Sequence, residues 1–338
     1  MTAKEINNGY KILGIGNALV DIMIALPEDS LFEQFGLPRG SMTLVDRAQS
    51  AKIYKATQQY QKDVTTGGSA ANTIHGLASL GVACGYAGKI GDDDLGNLFK
   101  NEFQQKKITT HLPYSQLDTG RVMAMVSTDS ERTMATYLGA AAGLVPADFS
   151  KELFRQYEIV YVEGYLVQDH QLIEFILKTA HDLGLKVVID LSSYNIVEHN
   201  LKFLKKLVTE YVDIVFANEE EALAFTSFEP LKALESISEL CEIAIVKTGI
   251  KGSMIKKGNE IFHILPIPTQ SVDTTGAGDS YAAGFLYGYV NGLSLQQCGN
   301  IASLVSSKAV ETMGARIPES SWPGLLEKVR KIIAVHEN

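Results

Sequence analysis

A glycine-rich stretch that ends in an aspartate precedes an apolar segment in the C-terminal part of the sequence. The stretch is DTTGAGD, residues 273–279, and the segment that follows, SYAAGFLYGYV, has the composition of a tightly packed helix. The first turn of a helix leaves N–H groups without intrahelical acceptors and carries about half a positive charge. Gly276, Ala277 and Gly278 are therefore predicted to form a small anion-binding pocket, because small residues let an anion approach the backbone.

The aspartate beside this pocket, Asp279, has two interpretations. Asp is among the best helix N-caps, and an isolated Asp before a helix is usually a cap. A carboxylate beside an anion pocket is also where a general base would take the proton of a hydroxyl that attacks a phosphoryl group. Because the glycines are adjacent, we favour the general base.

Two polar residues interrupt the apolar N-terminal stretch YKILGIGNALVDIMIAL. Its pattern predicts two short strands joined by a glycine turn, from which Asn17 and Asp21 could point toward a ligand. A second glycine turn, Gly67 and Gly68 in TTGGSAANTIHGLASLG, leads into a helix of small residues. This second segment predicts a β-to-α unit.

Two further segments place polar groups directly after apolar strands. In NEEEA, Asn218 and Glu221 are three residues apart, so on a helix they share a face and could orient water around Mg²⁺. In VKTGIKGS, Thr248 and Gly249 close a strand, the position at which open α/β sheets bind ligands. Each pattern alone is equally compatible with an ordinary turn, and each gains weight from the others.

Familiar phosphate-binding signatures are missing from the sequence. GIGNAL lacks the third glycine of GxGxxG, and no segment matches GxxxxGK[ST]. The acidic run at residues 92–94 could hold a metal, but a helix N-terminus explains it as well, and we favour the helix. Three cysteines without CxxC spacing suggest neither a disulfide framework nor a zinc site.

The composition is that of an ordinary globular protein. Of 338 residues, 46% are hydrophobic and 20% are charged, which excludes a disordered or collagen-like chain. A net charge of -9 argues against non-specific binding to nucleic acid or to an acidic membrane surface. The N-terminus lacks the apolar run of a signal peptide, and no segment approaches the ~20 apolar residues of a membrane span. We expect a cytoplasmic enzyme or binding protein.

The order of elements predicts an α/β fold. From residue 158 onward, short continuous apolar strands alternate with helical segments, which indicates a parallel sheet covered on both faces. Residues 120–138 alternate around a polar turn from Ser127 to Arg132 and predict a β-hairpin that could form a lid. No linker divides the chain, so we expect one domain over residues 1–338, with lid strands near 17–45 and 119–139.

These motifs together resemble the ribokinase-like (PfkB) family of sugar and nucleoside kinases. GGSAANTIHGLASLG and DTTGAGDSYAAGFLYG are similar to its two signatures, NEEE to its NxxE element and KTGIKGS to its nucleotide-side turn. The matches span residues 12–314 in the expected order, and the second signature is highly specific. The resemblance implies a three-layer α/β/α sandwich with a mostly parallel central sheet of about eight or nine strands and a small β lid.

The resemblance also implies roles for individual residues. Asp279 resembles the catalytic base that deprotonates the acceptor hydroxyl, and residues 276–278 resemble the anion hole for the transferring phosphoryl group. The residues that resemble substrate contacts are Asn17, Asp21, Gly67, Gly68 and Asn72. In this family the first-strand Asp accepts hydrogen bonds from vicinal sugar hydroxyls.

On the nucleotide side, the resemblance implies ATP and Mg²⁺ as cofactors. Thr248 and Gly249 are expected to line the ATP ribose and phosphates, and Asn300 to lie near the adenine. Glu221 and Asn218 are expected to organise the waters of Mg²⁺. Arg132 resembles a lid residue that can reach the phosphates. Asp273 and Thr275 resemble ligands of a monovalent cation, commonly potassium in this family.

The acceptor is predicted from GNALVDIMI and GSMTLVD, which are more similar to bacterial proteins of the adenosine kinase branch than to ribokinase or fructokinase. Leu19, Met42 and Tyr165 could supply an apolar wall for a purine, although the same residues could belong to the core. We expect a purine nucleoside, adenosine foremost, phosphorylated at its primary hydroxyl. The alternatives are a free sugar such as ribose or fructose, and a non-catalytic ligand-binding protein on the same scaffold. A monomer or a homodimer is expected.

Overall fold

A computed structural model of the chain describes residues 11–128 and 131–334. The first ten residues, where no signal peptide is predicted, and part of the polar turn predicted between Ser127 and Arg132 lie outside the described residues.

Strands and helices alternate along most of the chain. The strands are β1 (Lys11–Ile15), β2 (Leu19–Ala25), β3 (Met42–Leu44), β4 (Lys62–Gly67), β5 (Ala83–Ala87), β6 (Ile90–Gly91), β7 (Thr109–His111), β8 (Tyr114–Ser115), β9 (Gly120–Val126), β10 (Arg132–Tyr137), β11 (Ile159–Glu163), β12 (Lys186–Asp190), β13 (Ile214–Asn218), β14 (Ile243–Lys247), β15 (Ser253–Lys257) and β16 (Glu260–Ile264). The helices are α1 (Ser30–Phe35), α2 (Arg47–Ala56), α3 (Ser69–Ser79), α4 (Asp94–Gln105), α5 (Lys151–Phe154), α6 (His170–Asp182), α7 (Tyr194–Tyr211), α8 (Glu219–Thr226), α9 (Pro230–Ser238), α10 (Ala277–Val290), α11 (Leu295–Ala309) and α12 (Trp322–Ala334).

The larger sheet has nine strands in the order β16-β15-β14-β13-β12-β11-β1-β5-β7. The strands from β14 to β7 are parallel, and β15 and β16 complete one edge in antiparallel pairing. Its strands are apolar because both faces are covered. In β11, Ile159 and Tyr161 pack in the cluster that contains α3 and α10, whereas Val160 and Val162 pack in the cluster that contains α6 and α7. The predicted three-layer α/β/α architecture is confirmed.

The smaller sheet has five strands in the order β3-β10-β9-β2-β4 and forms the lid. The sequence-based lid ranges contain β2, β3, β9 and β10 but miss β4. Helix α2 ends at Ala56, and residues 62–67 pair with β2. The β-branched run Val64, Thr65 and Thr66 explains this strand, since such side chains suit a pleated surface.

Successive side chains along the lid strands point alternately to the two faces of the lid. Ile22 and Ile24 of β2 are buried in the core with Phe32 of α1 and Ile53 of α2. Asp21, one position before Ile22, points to the opposite face, which is turned toward the larger sheet. Among the described residues no helix combines the length and apolarity needed to cross a membrane.

Candidate active site

A cavity of about 990 Å³ lies between the two sheets. It is bounded by the inner face of the lid, by the carboxyl ends of β1 and of β11 to β14, and by the first turns of α3 and α10. The carboxyl ends of parallel strands are where open α/β sheets bind ligands. The size is at the upper end of ordinary ligand pockets, about 300–1,000 Å³, and leaves room for two ligands side by side.

Asp279 lies in the first turn of α10 and faces α3. Its carboxylate accepts hydrogen bonds from Ser69 Oγ at 2.7 Å and from Asn72 Nδ2 at 3.0 Å. Burial raises its pKa to about 6, although the bonds from Asn72 and Ser69 oppose the shift. A carboxylate with this pKa is ionised at neutral pH and still basic enough to accept a proton during a reaction.

A buried arginine that sequence reasoning missed fixes the orientation of Asn72. Arg316 Nε donates to Asn72 Oδ1 at 3.3 Å, and the same guanidinium forms an ion pair with Glu102. With its oxygen held by Arg316, the amide of Asn72 presents its nitrogen to Asp279. The motif around Arg316, GARIP, gave no signal of this contact, because Asn72 and Arg316 are 244 positions apart.

The anion pocket predicted at residues 276–278 lies at the start of α10. Gly276 is the N-cap residue with φ of 72°, and a Cβ there would overlap the backbone of Ala315, so both conformation and space require glycine. Gly278 lines the cavity, and a Cβ on it would lie 3.1 Å from Lys247 Nζ. The amides of this turn therefore open toward the cavity, with a lysine ammonium beside them.

The substrate-side residues converge on the first strand of the lid. The buried carboxyl group of Asp21 has its pKa raised to about 6 by burial, against the opposing charges of Arg316 and Arg132. Gly67 lies beside it, and a Cβ there would overlap the Asp21 carboxyl group. Gly68 has φ of 100°, and a side chain would overlap the carbonyl group of Asn17. The glycine pair thus makes room for Asp21 and Asn17.

Asn17 is held by a glutamate that the sequence did not indicate. Glu163, at the end of β11, accepts bonds from Asn17 N at 2.8 Å and from Asn17 Nδ2 at 2.6 Å. Its other oxygen accepts from Ala70 N at 3.0 Å, at the start of α3. Burial raises the pKa of Glu163 to about 7. Glu163 therefore ties β1 to α3 at the floor of the cavity.

The apolar residues predicted to face a base do line the cavity. Leu19 and Met42 are on the inner face of the lid. Tyr165 follows β11 on the opposite wall, and its hydroxyl donates to the carbonyl of Ser192 at 3.3 Å. The Tyr165 ring is thereby fixed across the cavity from the lid.

On the other side of the cavity, Asn218 and Glu221 form a capping box at the start of α8. Asn218 Oδ1 accepts from Glu221 N, and the Glu221 carboxylate accepts from Asn218 N and Nδ2, each at 2.8 Å. Burial, and then the charge of Asp190, raise the pKa of Glu221 to about 7. Both residues line the cavity, so the sequence-based pairing of these two side chains agrees with their placement.

Two of the residues expected on the nucleotide side lie elsewhere. Gly249 lines the cavity, but the Thr248 hydroxyl donates to the carbonyl of Gly252 at 2.9 Å and closes its own turn. Asn300 is also absent from the cavity wall; its side chain accepts from Gln296 at 3.2 Å within α11. The residues of α11 that do line the cavity are Ser303, Ser306 and Ser307.

Arg132 extends from the lid to the loop that precedes α10. It forms an ion pair with Asp273 and donates to Thr275 Oγ1, next to the anion pocket. Asp273 also accepts from Thr275 N at 3.0 Å and from Gly314 N at 2.6 Å. The site of a monovalent cation at Asp273 and Thr275 stays a prediction: in this arrangement the cationic group beside Asp273 is the Arg132 guanidinium, which such an ion would displace.

The polar side chains at the start of α8 fit a magnesium ion that is held largely through water. In the part of the chain that the structure describes, no group of three or more His, Cys, Asp or Glu side chains is arranged to bind a metal directly. Asn218 and Glu221 nevertheless line the cavity, and both carry side-chain oxygens. Mg²⁺ prefers oxygen ligands, retains several waters and takes further ligands from substrate phosphates.

The raised pKa of Asp279 makes a prediction about stability. The pKa of Asp279 is higher in the folded protein than in the unfolded chain, so ionisation of Asp279 costs more in the folded protein. Its contribution to the free energy of unfolding therefore falls as the pH rises through about 6. Asp279→Asn should therefore raise Tm relative to the parent at pH 8, and by less at pH 5, measured by calorimetry. Asp94→Asn, at an exposed first-turn position of α4, is the matched control. A lower Tm for Asp279→Asn at pH 8 would show that the carboxylate is a structural cap.

Comparison with known proteins places this arrangement in a family. A model of the pfkB family of carbohydrate kinases matches residues 41–322. The adenosine kinase from Sinorhizobium meliloti has a TM-score of 0.84 and 34% identity, covering 95% of this chain and 99% of that chain. A probable sugar kinase protein from Rhizobium etli CFN 42 has a TM-score of 0.83 and 32% identity, covering 94% and 99%.

A curated relative supports the same family. The nucleoside kinase of Methanocaldococcus jannaschii is 30% identical over 275 residues, which is 78% of this chain and 85% of that protein. The relatives thus divide between nucleoside kinases and sugar kinases, and the two solved structures share the fold of this chain. Since the family model spans most of the sequence, the chain belongs to the PfkB family of carbohydrate kinases, ATP-dependent phosphotransferases that act on an alcohol group.

Proposed function

We propose that the chain transfers the γ-phosphoryl group of ATP to the primary hydroxyl of a purine nucleoside, with adenosine as the preferred acceptor and AMP as its product. The observation that carries this proposal is the apolar inner face of the lid. Met42 is 46% exposed and Leu44 is 53% exposed, although both line the cavity. Exposed apolar side chains at a ligand pocket favour a ligand with an apolar face.

The shape of this part of the cavity favours a flat base. Val122, Met134 and Leu138 extend the apolar lid surface, and the fixed ring of Tyr165 lies on the opposite wall. A purine presents two apolar faces to such walls, whereas a free sugar presents hydroxyl groups whose burial against methionine and leucine leaves them without partners.

The polar end of the same region suits a ribose. Asp21 has a carboxylate that faces the cavity and whose burial raises its pKa. Vicinal hydroxyls of a ribose would donate to both of its oxygens, and such charge-assisted bonds stabilise the ionised form in place of water. Gly67 lies beside Asp21 and Gly68 lies beside Asn17, and all but Gly67 are among the residues that line the cavity.

Asp279 then activates the acceptor. The carboxylate takes the proton of the primary hydroxyl as its oxygen attacks the phosphoryl group, and the amides of residues 276–278 stabilise the negative charge that develops there. The hydrogen bonds from Ser69 and Asn72 hold the carboxylate at one orientation throughout. Asn218 and Glu221 would hold Mg²⁺ through water, and the ion would neutralise charge on the phosphates when ATP binds.

A free sugar is the second candidate acceptor. It is favoured by the similarity to the probable sugar kinase protein from Rhizobium etli CFN 42 at 32% identity. The same base and anion pocket would serve either acceptor, so the distinction depends on the apolar lid surface.

The first test of this chemistry is the base itself. Asp279→Asn preserves the size of the side chain but removes the proton acceptor, so kcat should fall by about 10²-fold or more. The Kd of ATP, measured by calorimetry, should change by less than about threefold because the carboxylate does not hold the nucleotide. Turnover close to that of the parent would exclude Asp279 as the base.

The pH dependence follows from the same pKa. Because Asp279 must be ionised to act, kcat/KM of the parent should decline as the pH falls below about 6. Asp21 also ionises near pH 6, so Asp21→Asn is the variant that separates the two groups. If Asp279 is the base, kcat/KM of Asp21→Asn should still decline as the pH falls below about 6. A kcat/KM of the parent that does not change between pH 8 and pH 5 would contradict the assignment of Asp279 as the base.

The acceptor is tested by kcat/KM for adenosine, inosine, guanosine, 2′-deoxyadenosine, ribose and fructose measured in parallel. Adenosine should exceed both sugars. Loss of the 2′-hydroxyl leaves Asp21 without one donor, which should lower kcat/KM by about 10- to 100-fold, or ~1–3 kcal/mol. Asp21→Ala should abolish that discrimination, whereas Asp63→Ala, at an exposed position of the same lid, should keep it. Higher values for ribose or fructose than for every nucleoside would make the sugar the acceptor.

A further inference from the structure

Lys247, the last residue of β14, extends its side chain to the start of α10. Its Nζ is 2.9 Å from Asp190 Oδ2, and it lies 3.1 Å from the point where a Cβ on Gly278 would be. The side chain is 15% exposed and lines the cavity. The ammonium therefore forms part of the wall of the anion pocket, beside Gly278 in the first turn of α10.

The charge around Lys247 keeps the side chain protonated. Burial lowers its pKa, but the carboxylates of Asp190 and Glu221 outweigh burial and raise the pKa above its ordinary value, with Asp279 adding to the effect. An ammonium has three N–H donors. Within residues 11–128 and 131–334, Asp190 is the one side chain that accepts from it. The remaining donors are available to a ligand in the cavity.

We propose that Lys247 is a catalytic residue, whose ammonium contacts the transferring phosphoryl group and stabilises its negative charge in the transition state. Asp190 is then a positioning residue, because it holds Nζ beside Gly278. This assignment rests on phosphoryl transfer, and not on which acceptor is phosphorylated.

In the proposed phosphoryl transfer every bond formed is matched by a bond broken, and Lys247 is left unchanged. The acceptor oxygen forms a bond to the γ-phosphorus, the bond from that phosphorus to the β,γ-bridging oxygen breaks, and ADP leaves with the bonding electrons. The acceptor proton goes to Asp279. Lys247 keeps its protons and donates to the phosphoryl oxygens beside the α10 amides, so the ammonium and the amides stabilise the same negative charge.

A purely structural role is the alternative. Lys247 neutralises a buried aspartate, and removal of one partner of a buried ion pair is destabilising whether or not the pair takes part in catalysis. Removal of both partners together relieves the unpaired charge, so a double variant separates stability from chemistry.

The test compares four variants with the parent, using whichever acceptor the parent phosphorylates fastest. Lys247→Met should lower kcat by about 10²–10³-fold, with KM for ATP within about threefold, because the contact is made chiefly in the transition state. Lys247→Arg keeps the charge and should retain at least about tenfold more turnover than Lys247→Met. Lys251→Met, a 74% exposed lysine of the following turn, should match the parent.

The double variant Lys247→Met with Asp190→Asn decides between the two roles. We expect its Tm to recover toward that of the parent while kcat remains as low as in Lys247→Met. If turnover recovers together with Tm, or if Lys247→Met turns over within about threefold of the parent, the catalytic role is wrong. If the parent prefers a sugar, the nucleoside proposal is wrong. The kcat of each variant relative to the parent, measured with that sugar, then still tests Lys247.

Discussion

The burial of one carboxylate between two helices is the constraint on which the site depends. Asp279 of α10 meets Ser69 and Asn72 of α3 across a helix contact that joins residues more than 200 positions apart. The helices approach closely because Gly76 faces Ala283, where a Cβ on the glycine would lie 2.9 Å from that of the alanine. This contact shields the Asp279 carboxylate from much of the solvent, so its pKa rises to about 6 while one side of the residue still lines the cavity.

Charge is distributed so that the cavity attracts an anion despite its carboxylates. Burial raises the pKa of Glu163 and of Glu221 to about 7, which lowers the cost of keeping these groups together. Lys247 and Arg132 supply positive charge on two sides of the anion pocket. Each cation is paired with an aspartate, Lys247 with Asp190 and Arg132 with Asp273, so neither buried charge is left unpaired.

The sequence predicted the residues whose function depends on local structure. Asp279 and its glycines follow from helix geometry, and Asn218 with Glu221 from their spacing. Residues that act through distant partners were missed: Glu163 lies 146 positions from Asn17, which was predicted, and Lys247 lies 57 positions from Asp190. The motif around Thr248 located the turn but could not give the direction of the hydroxyl, which bonds to Gly252. Strand β4 was missing from the predicted lid because its pairing with β2 is a tertiary contact.

The account is tested most directly by a crystal structure of the enzyme with adenosine and a non-hydrolysable ATP analogue. The account predicts the 5′-oxygen within about 3 Å of the Asp279 carboxylate, in line with the γ-phosphorus. It also predicts the ribose hydroxyls on Asp21 and the base between the lid and Tyr165. An acceptor hydroxyl that lies beyond hydrogen-bond reach of Asp279 and against another group, such as Glu163, would contradict it.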